Sequence, residues 1–342
     1  MKRFQTLVAI VLFGALLLLS AAAAPSVAAS AAKPIVVDTD MAADDWMGLL
    51  YLLERPDVEV LAVAVSGTGE AHCKQGVANA RGLLALARKP TIKVACGQET
   101  PLQGANVFPS DWRKASDAML GIKLPANDAA AANVDASELL RQSLAGSEQK
   151  VTLVTLGPLT DVARLLEASP AVKDRIAMIY MMGGALDAQG NLGPAGHGNS
   201  TAEWNIFIDP LAALDVIKSG VPVTMIALDA TRHAPVTMAF HDQLGGDRKT
   251  AAAEFVYQVL DRQKGFIKSG SWYFWDPMAA VAATDESVVT LEPRKITINV
   301  QKGKEFGRVV ADESGSSVRV AVNADRNRLQ KTLVNVLNGR AP

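Results

Sequence analysis

The chain has 342 residues with 34 basic and 35 acidic side chains, so its formal net charge at pH 7 is −1. This near-neutral charge gives no electrostatic reason to expect binding to nucleic acid or to an anionic membrane surface. Residues 33–342 contain no Pro/Ser-rich linker, internal repeat or low-complexity stretch, and we therefore predict one large domain there.

The first 32 residues have the composition of a signal peptide. Lys2 and Arg3 precede an apolar run, Leu7–Leu19, which is too short for a comfortable membrane span. An alanine-rich segment with several small-residue cleavage sites follows, and it contains no cysteine that could carry a lipid. We predict that residues 1–32 are removed and that residues 33–342 form a periplasmic or secreted protein. The alternative is an uncleaved N-terminal anchor.

Four carboxylates crowd the end of the first predicted strand of the mature chain. Ile35–Val37 form a short apolar strand, and Trp46–Leu53 have helical spacing. The first turn of a helix favours negative charge, which explains one or two carboxylates but not four. Such crowding raises pKa values unless a cation neutralises it, and Ca²⁺ tolerates a flexible carboxylate cage. We predict a metal site formed by Asp38, Asp40, Asp44 and Asp45. The alternative is that these residues serve as helix caps and surface charges.

Strands and helices alternate through most of the remaining chain, which predicts a mostly parallel open sheet with helices on both faces and a Rossmann-like core. An accessory β element should follow at Ile296–Val300 and Val318–Val322, closed by a helix at Asp325–Leu337. The predicted strands are Val58–Val65, Ile92–Ala95, Val151–Thr155, Ile176–Met181 and Val221–Leu228. The predicted helices are Cys73–Ala87, Ala129–Leu144, Leu159–Leu166 and Pro210–Ser219.

Turn-forming or polar residues follow four of these strands, and the carboxyl ends of parallel strands are where open α/β sheets bind ligands. The segments are Ser66–Gly69, Leu156–Pro158, Gly183-Gly184 and Asp229. Each glycine cluster alone is typical of an ordinary tight turn. Their common placement predicts one functional site at this edge of the sheet.

Cys73 and Cys96 are the only cysteines. Export permits a disulfide, but two cysteines in so long a chain are not a disulfide framework. We expect two separate buried thiols, with a bridge as the alternative.

The carboxylate group resembles the N-terminal signature of the inosine–uridine-preferring nucleoside hydrolase family, D-x-D-P-G-x-D-D, with Met41 and Ala42 in place of Pro-Gly. Val151–Ala163 resembles the family's strand–turn–helix segment around G-P-L-T-N, in which the backbone carbonyl before the glycine binds calcium. Leu156 occupies that position here. The resemblance implies that Ca²⁺ is held by the Leu156 carbonyl and three carboxylates, namely Asp40, Asp45 and Asp276. It also implies that Asp40 is the general base and that Asp44 contacts ribose hydroxyls.

A second resemblance covers the family's ribose-binding segment, in Met182–Ala185, Gly190-Asn191 and Ala202–Asn205. It implies that Asn191, Glu203 and Asn205 bind sugar hydroxyls; from the residues alone, a polar loop edge is the alternative. The long segment Leu192–Thr201 puts Asn199 in competition with Asn191, whose spacing from Gly183-Gly184 matches better.

Two further positions depart from most family members and bear on the substrate. Thr68 stands where most have an Asn that contacts the ribose or the nucleophile, and Trp275 stands where many have a His. Purine-preferring members also carry Trp there. Trp112 lies in Val107–Leu124, which is long, polar and without clear periodicity and is therefore interpreted as an active-site flap. One hypothesis is that Trp112 and Trp275 sandwich a purine; the alternative is that both have packing roles.

The resemblance implies a calcium-dependent hydrolase that releases a free base and ribose from nucleosides. We also expect a homo-oligomer, a dimer or a tetramer, with no nucleic-acid partner and no stable membrane anchor. Two other classes of function remain open. One is a non-catalytic periplasmic nucleoside- or sugar-binding protein. The other is a haloacid-dehalogenase-type phosphatase with Asp38 as nucleophile, although Ala42 stands where that class normally has Thr or Val.

Overall fold

The computed structural model describes residues 32–129, 132–196 and 198–342. Apart from Ala32, the predicted signal peptide lies outside these residues. Ala32–Pro342 form one compact unit. No helix in the described ranges is long and apolar enough to cross a membrane.

Nine strands of the described chain form a single sheet in the order β3-β2-β1-β4-β5-β6-β9-β7-β8. Neighbouring strands from β3 to β6 all pair in parallel, which confirms the predicted sheet. The inner strands are apolar on both faces because helices cover both. The strands are β1 (Lys33–Thr39), β2 (Val58–Val65), β3 (Lys93–Cys96), β4 (Val151–Thr155), β5 (Ile176–Met182), β6 (Val223–Ile226), β7 (Val289–Ile298), β8 (Val309–Ala311) and β9 (Ser316–Ala324).

The predicted accessory β element extends this same sheet. Strand β9 pairs in parallel with β6, while β7 pairs antiparallel with both β9 and β8. The last three strands therefore share the core of the first six.

Thirteen α-helices lie in the described residues, and they divide between two apolar cores, one on each side of the sheet. Helices α1, α2, α10, α12 and α13 pack on one face, and α4, α5 and α7 on the other. The helices are α1 (Ala43–Glu54), α2 (Cys73–Leu86), α3 (Ser110–Asp117), α4 (Ala136–Gly146), α5 (Thr160–Ala168), α6 (Trp204–Ile208), α7 (Pro210–Lys218), α8 (Leu228–Thr231), α9 (Met238–Gly245), α10 (Ala251–Arg262), α11 (Lys264–Lys268), α12 (Trp275–Ala282) and α13 (Arg326–Leu337).

Two segments differ from their predicted structure. The helix predicted from Ala129 begins only at Ala136, because the Asp135 side chain accepts a hydrogen bond from the Glu138 amide and caps the helix there. The segment predicted as an irregular flap, Val107–Leu124, contains the regular helix α3.

The expectation of two separate thiols was wrong, because Cys73 and Cys96 form a disulfide with their Cα atoms 5.5 Å apart. Cys96 ends β3 opposite Val65, the last residue of β2. The short connection from Val65 to the start of α2 keeps Cys73 at the same edge of the sheet. Tertiary pairing of β2 with β3 therefore brings the two thiols together.

The strand order reverses at β1: β2 and β3 lie on one side of it, and β4, β5 and β6 lie on the other. Such a switch point leaves a crevice beyond the carboxyl ends of the strands. The Leu156 amide, just after β4, donates to the Asp38 carbonyl at 2.7 Å, and the Ser66 amide, just after β2, donates to the Thr39 carbonyl at 2.8 Å. These bonds hold the starts of the loops after β1, β2 and β4 together beside that crevice.

Candidate active site

Carboxylates from two distant segments meet beyond the end of β1. Asp44 and Asp45 lie in the first turn of α1, and Asp276 lies in the first turn of α12, which packs against α1. Each contributes a carboxylate oxygen within 4.8 Å of the others. Asp40 lies outside this group of three but close enough that its charge raises the pKa of Asp276. The predicted joining of Asp276 to the N-terminal carboxylates is therefore present in the geometry.

Asp40 is packed tightly between two glycine turns. A Cβ atom at Gly157 would lie 2.6 Å from the Asp40 Cβ, and one at Gly69 would overlap it. Both glycines belong to the turns after β4 and β2, so they serve close packing as well as turn formation. Asp40 also accepts a hydrogen bond from the Ala42 amide at 3.2 Å. The side chain is thus fixed in position.

The two oxygens of Asp45 have different surroundings. Its Oδ1 accepts hydrogen bonds from the Asp40 amide at 3.0 Å, from the Met41 amide at 3.2 Å and from the Thr39 hydroxyl. Its Oδ2 is buried and accepts none from the part of the chain that the structure describes, and the same holds for Oδ1 of Asp276. Buried polar atoms without a partner are rare and call for a ligand or a water molecule.

Burial is the main cause that raises the pKa of each carboxyl group in this cluster, and repulsion between the groups adds to it at Asp40, Asp45 and Asp276. The pKa of Asp45 rises to about 8. None of these carboxylates forms an ion pair with a basic side chain within the described ranges. Crowded, buried oxygens with unfilled lone pairs fit a hard divalent cation such as Ca²⁺. These oxygens belong to Asp40, Asp44, Asp45 and Asp276.

The Leu156 carbonyl, which directly precedes the glycine packed on Asp40, contacts the predicted sugar-binding segment. Asn205 Nδ2 donates to the carbonyl oxygens of Leu156, at 3.4 Å, and Met182, at 3.2 Å. Glu203 caps α6 by accepting bonds from the Asn205 and Ile206 amides, and burial raises its pKa to about 7. Glu203, Asn205 and Leu156 are therefore neighbours although β5 separates them in sequence.

The structure distinguishes the two candidate asparagines. Asn199 is buried, and its amide is used by the fold, because Nδ2 donates to the Phe306 carbonyl at 2.8 Å and Oδ1 accepts from the Ala202 amide at 3.2 Å. Asn191 Oδ1 accepts from the Trp204 amide at 3.1 Å, while its Nδ2 has no partner in the described part of the chain. Asn191 is therefore the better candidate for a sugar contact.

Thr68 belongs to a short chain of hydroxyl groups. Its Oγ1 lies 3.1 Å from both the Ser66 Oγ and the Thr160 Oγ1, and Thr160 in turn donates to Asp209 at 2.8 Å. These bonds occupy a hydroxyl that we predicted to contact substrate. A sugar contact by Thr68 must therefore replace or share one of them.

The two predicted base-stacking indoles belong to different aromatic groups. Trp112, on α3 and 45% exposed, packs edge-on against Trp204 with ring centroids 5.3 Å apart. Trp275 is half-buried at the start of α12. Its ring centroid lies 5.8 Å from that of Tyr273 and 6.4 Å from that of Phe266. Trp112 thus adjoins the Glu203 segment, and Trp275 directly precedes Asp276.

Glu70 is a candidate functional residue that the sequence analysis missed. It follows the turn after β2, and its Oε1 accepts a hydrogen bond of 2.5 Å from the Ser116 hydroxyl of α3. Burial and the nearby Asp44 charge contribute to raising its pKa to about 7, and Glu70 in turn raises the pKa of Asp40. Its position one residue beyond Ser66–Gly69, at a strand end, was the signal that could have identified it.

A second pair of buried carboxyl groups lies beside the cluster. Neither carboxylate oxygen of Asp38 accepts a hydrogen bond within the described ranges, and Asp161 raises the pKa of Asp38. Asp161 stands where the G-P-L-T-N segment has Asn. Burial, together with the charge of Asp135, raises the pKa of Asp161 to about 7.

Replacing Asp161 by Asn should stabilise the protein at alkaline pH. A carboxyl group whose pKa is about 7 when folded and about 3.9 when unfolded loses its favourable contribution as the pH rises between these values. Asn carries no charge, so it also removes the repulsion with Asp38. We expect the free energy of unfolding to rise by about 4 kcal/mol at pH 8 and by less at pH 5.

Urea unfolding at both pH values measures this effect, with Asp174→Asn, at an exposed position, as the matched control. A gain of equal size at pH 5 and pH 8 would contradict the assigned titration of Asp161.

Comparisons with known proteins extend these observations. A sequence model described as inosine-uridine preferring nucleoside hydrolase matches residues 35–331. The chain is similar to the pyrimidine-specific ribonucleoside hydrolase RihA of Salmonella paratyphi B, with 33% identity over 309 residues that cover 87% of this chain and 95% of that protein.

Solved structures give the same result. The inosine-uridine preferring nucleoside hydrolase from Bacillus anthracis superposes with a TM-score of 0.79 and 26% identity, covering 90% of this chain and 99% of that chain. The purine-preferring ribonucleoside hydrolase from Gardnerella vaginalis gives a TM-score of 0.77 and 26% identity, covering 90% and 98%. Residues 35–331, which the sequence model matches, contain both segments that supply the buried carboxylates.

Proposed function

The chain belongs to the inosine-uridine preferring nucleoside hydrolase family, and we propose that it hydrolyses the N-glycosidic bond of nucleosides to a free base and ribose with Ca²⁺ as cofactor. The observation that carries the proposal is the meeting of Asp45 with Asp276, which is far away in sequence: their carboxylate oxygens lie within 4.8 Å of each other, Asp44 belongs to the same group, and Asp40 is close enough for its charge to act on Asp276. The family assignment argues against the phosphatase alternative.

The ligand types determine the role of each residue near the metal. Asp40, Asp45, Asp276 and the Leu156 carbonyl would hold the cation. When bound, Ca²⁺ would lower the pKa of a water molecule and so supply a nucleophile near neutral pH. Asp40 would accept a proton from the attacking water as the general base. The two glycine turns that enclose Asp40 support this role, since they hold its carboxylate at one place beside the cluster.

The sugar is held by groups that also favour its transition state. Asp44, Asn191, Glu203 and Asn205 contact ribose hydroxyls, with Thr68 as a further contact after rearrangement of its hydroxyl bonds. Cleavage of a glycosidic bond passes through an oxocarbenium-like transition state with positive charge on the sugar. Carboxylates beside the ring stabilise that charge as it develops, so Asp44 and Glu203 lower the barrier as well as bind.

For the base, we propose a purine preference that rests on Trp112 and Trp275. Stacking between two electron-rich rings raises the basicity of purine N7, so solvent can protonate the departing base without a histidine at position 275. The comparisons include relatives named pyrimidine-specific and purine-preferring, so family membership leaves both preferences open. The 45% exposure of Trp112 and the position of Trp275 directly before Asp276 in sequence favour stacking.

Replacing Trp275 by Ala should lower kcat/KM for inosine and guanosine by about 5- to 150-fold, because one stacked face contributes on the order of 1–3 kcal/mol. Uridine is the internal control and should lose much less. Steady-state kinetics on the three substrates measure the difference. Equal losses on both classes, or a wild-type enzyme that prefers uridine, would leave Trp275 with a packing role.

The function itself is tested by product analysis. Inosine, adenosine, guanosine, uridine and cytidine are incubated with the enzyme, with and without chelator, and free base and ribose are measured. We expect release of both products, abolished by chelator and restored by Ca²⁺. Binding of nucleosides without product would support the non-catalytic alternative, and phosphate release from a phosphate ester without base release would support a phosphatase.

Export to the periplasm or medium is part of this proposal. The composition of residues 1–32 supports it, and so does the Cys73–Cys96 disulfide, since disulfides persist in oxidising compartments. Assembly into a dimer or tetramer stays a prediction.

A further inference from the structure

The turn between β1 and α1 has an unusual backbone at Met41. Its φ angle is +62°, and Met41 is one of four non-glycine residues with positive φ in the described chain. A side chain in this left-handed region is strained and persists only where its surroundings hold it. Met41 is fully buried, so packing contributes to that restraint.

The unusual conformation gives Asp45 its asymmetric environment. The Met41 amide donates to the Asp45 Oδ1 at 3.2 Å and to the Thr39 hydroxyl at 3.1 Å. Oδ1 of Asp45 also accepts hydrogen bonds from the Asp40 amide and the Thr39 hydroxyl. The Oδ2 atom is left without a donor among the other buried carboxylates. The turn therefore decides which Asp45 oxygen is available to a cation.

The carbonyl group of Met41, which belongs to the next peptide unit, is fixed by Trp46. Its Nε1 donates to the Met41 carbonyl at 2.9 Å, and its fully buried indole packs edge-on against Phe255. The indole thus anchors the Met41 carbonyl to the core, while the Met41 amide holds Asp45.

A proline could not serve at position 41. Proline fixes φ near −65° and has no N–H, so it could neither adopt the observed conformation nor donate to Asp45. The signature D-x-D-P-G-x-D-D has Pro at this position. This chain therefore builds the turn in a different way, with a donating amide held in the left-handed region.

We infer that Met41 and Trp46 are positioning residues of the metal site: Trp46 Nε1 fixes the Met41 carbonyl and with it the Met41 backbone, and the Met41 amide holds Asp45 Oδ1 so that Oδ2 is left free for a cation. The inference rests on the proposed calcium-dependent function and concerns the backbone of Met41 rather than its side chain. Variants that keep the amide should therefore keep the affinity, and variants that remove it should not.

Calcium affinity, measured by titration calorimetry on the purified full-length mature protein, tests the inference. We expect Met41→Pro to raise the calcium Kd by about 10- to 100-fold, because a hydrogen bond to a charged group is lost. Trp46→Phe keeps an aromatic ring but loses the N–H, and it should raise the Kd by about three- to tenfold. Met41→Leu keeps the amide and most of the volume, so its Kd should stay within about threefold of wild type.

Controls separate positioning from general loss of stability. Trp272→Phe removes a similar buried indole, one that donates no hydrogen bond to Met41 in the described residues, and it should leave the calcium Kd unchanged even if it lowers the Tm of the calcium-free protein. Trp46→Phe keeps the test decisive should Met41→Pro fail to fold. An unchanged Kd in Trp46→Phe, or an equal rise in Met41→Leu and Met41→Pro, would overturn the inference alone. A wild-type protein that binds no calcium would overturn the proposed cofactor and this inference with it.

Discussion

Replacing Asp40 by Asn is expected to lower kcat by at least about 10²- to 10⁴-fold, the usual contribution of general-base catalysis. Asn has nearly the same shape, and its side-chain oxygen can still accept the Ala42 amide. Gly69 and Gly157 leave room for it, so the fold should be retained. What is lost is the ability to take a proton from water.

The KM for the nucleoside should change little, because Glu203 and Asn205 still bind the sugar. Since the substitution also removes one charged calcium ligand, kcat is measured at saturating calcium. Asp174→Asn, an exposed change of the same kind, is the control and should behave as wild type. A variant within tenfold of the wild-type kcat would show that another group accepts the proton, with Glu70 the first to examine.

Replacing Asp45 by Ala is expected to abolish calcium binding and activity together. Asp45 is the carboxylate whose orientation is most completely fixed, with three donors on Oδ1 and an unpartnered, buried Oδ2. We expect metal analysis of the purified wild type to give about one calcium per chain, and the variant to give close to none, since Ca²⁺ affinity depends on the number of charged ligands.

Asp44→Ala provides a matched comparison, because Asp44 adjoins Asp45 in sequence and belongs to the same group of three. If Asp44 binds ribose as proposed, its variant retains calcium and shows a raised KM. Loss of calcium in Asp44→Ala would identify Asp44 as a ligand instead. Full calcium occupancy in Asp45→Ala would overturn the assignment of Asp45.

The sequence by itself determined the fold class and the location of the site on the sheet. Apolar runs such as Val58–Val65 and Val151–Thr155 form strands with the predicted bounds, because strand formation in a covered sheet requires local apolar runs. The carboxylates after β1 were visible because they are close in sequence and because strand ends form the binding edge of such sheets. The resemblance identified Asp276 as their distant partner.

Only the tertiary structure decided which groups face one another. The Cys73–Cys96 bridge, the proximity of Glu70 to Asp40 and the different environments of Asn191 and Asn199 depend on contacts between elements far apart in the chain. The positive φ of Met41 is likewise imposed by donors, acceptors and packing around it, against the intrinsic preference of methionine. The periodicity of apolar residues in a segment predicts which side of that segment is buried. It does not predict which distant segments it contacts, because those contacts depend on the free energy of the whole assembled core.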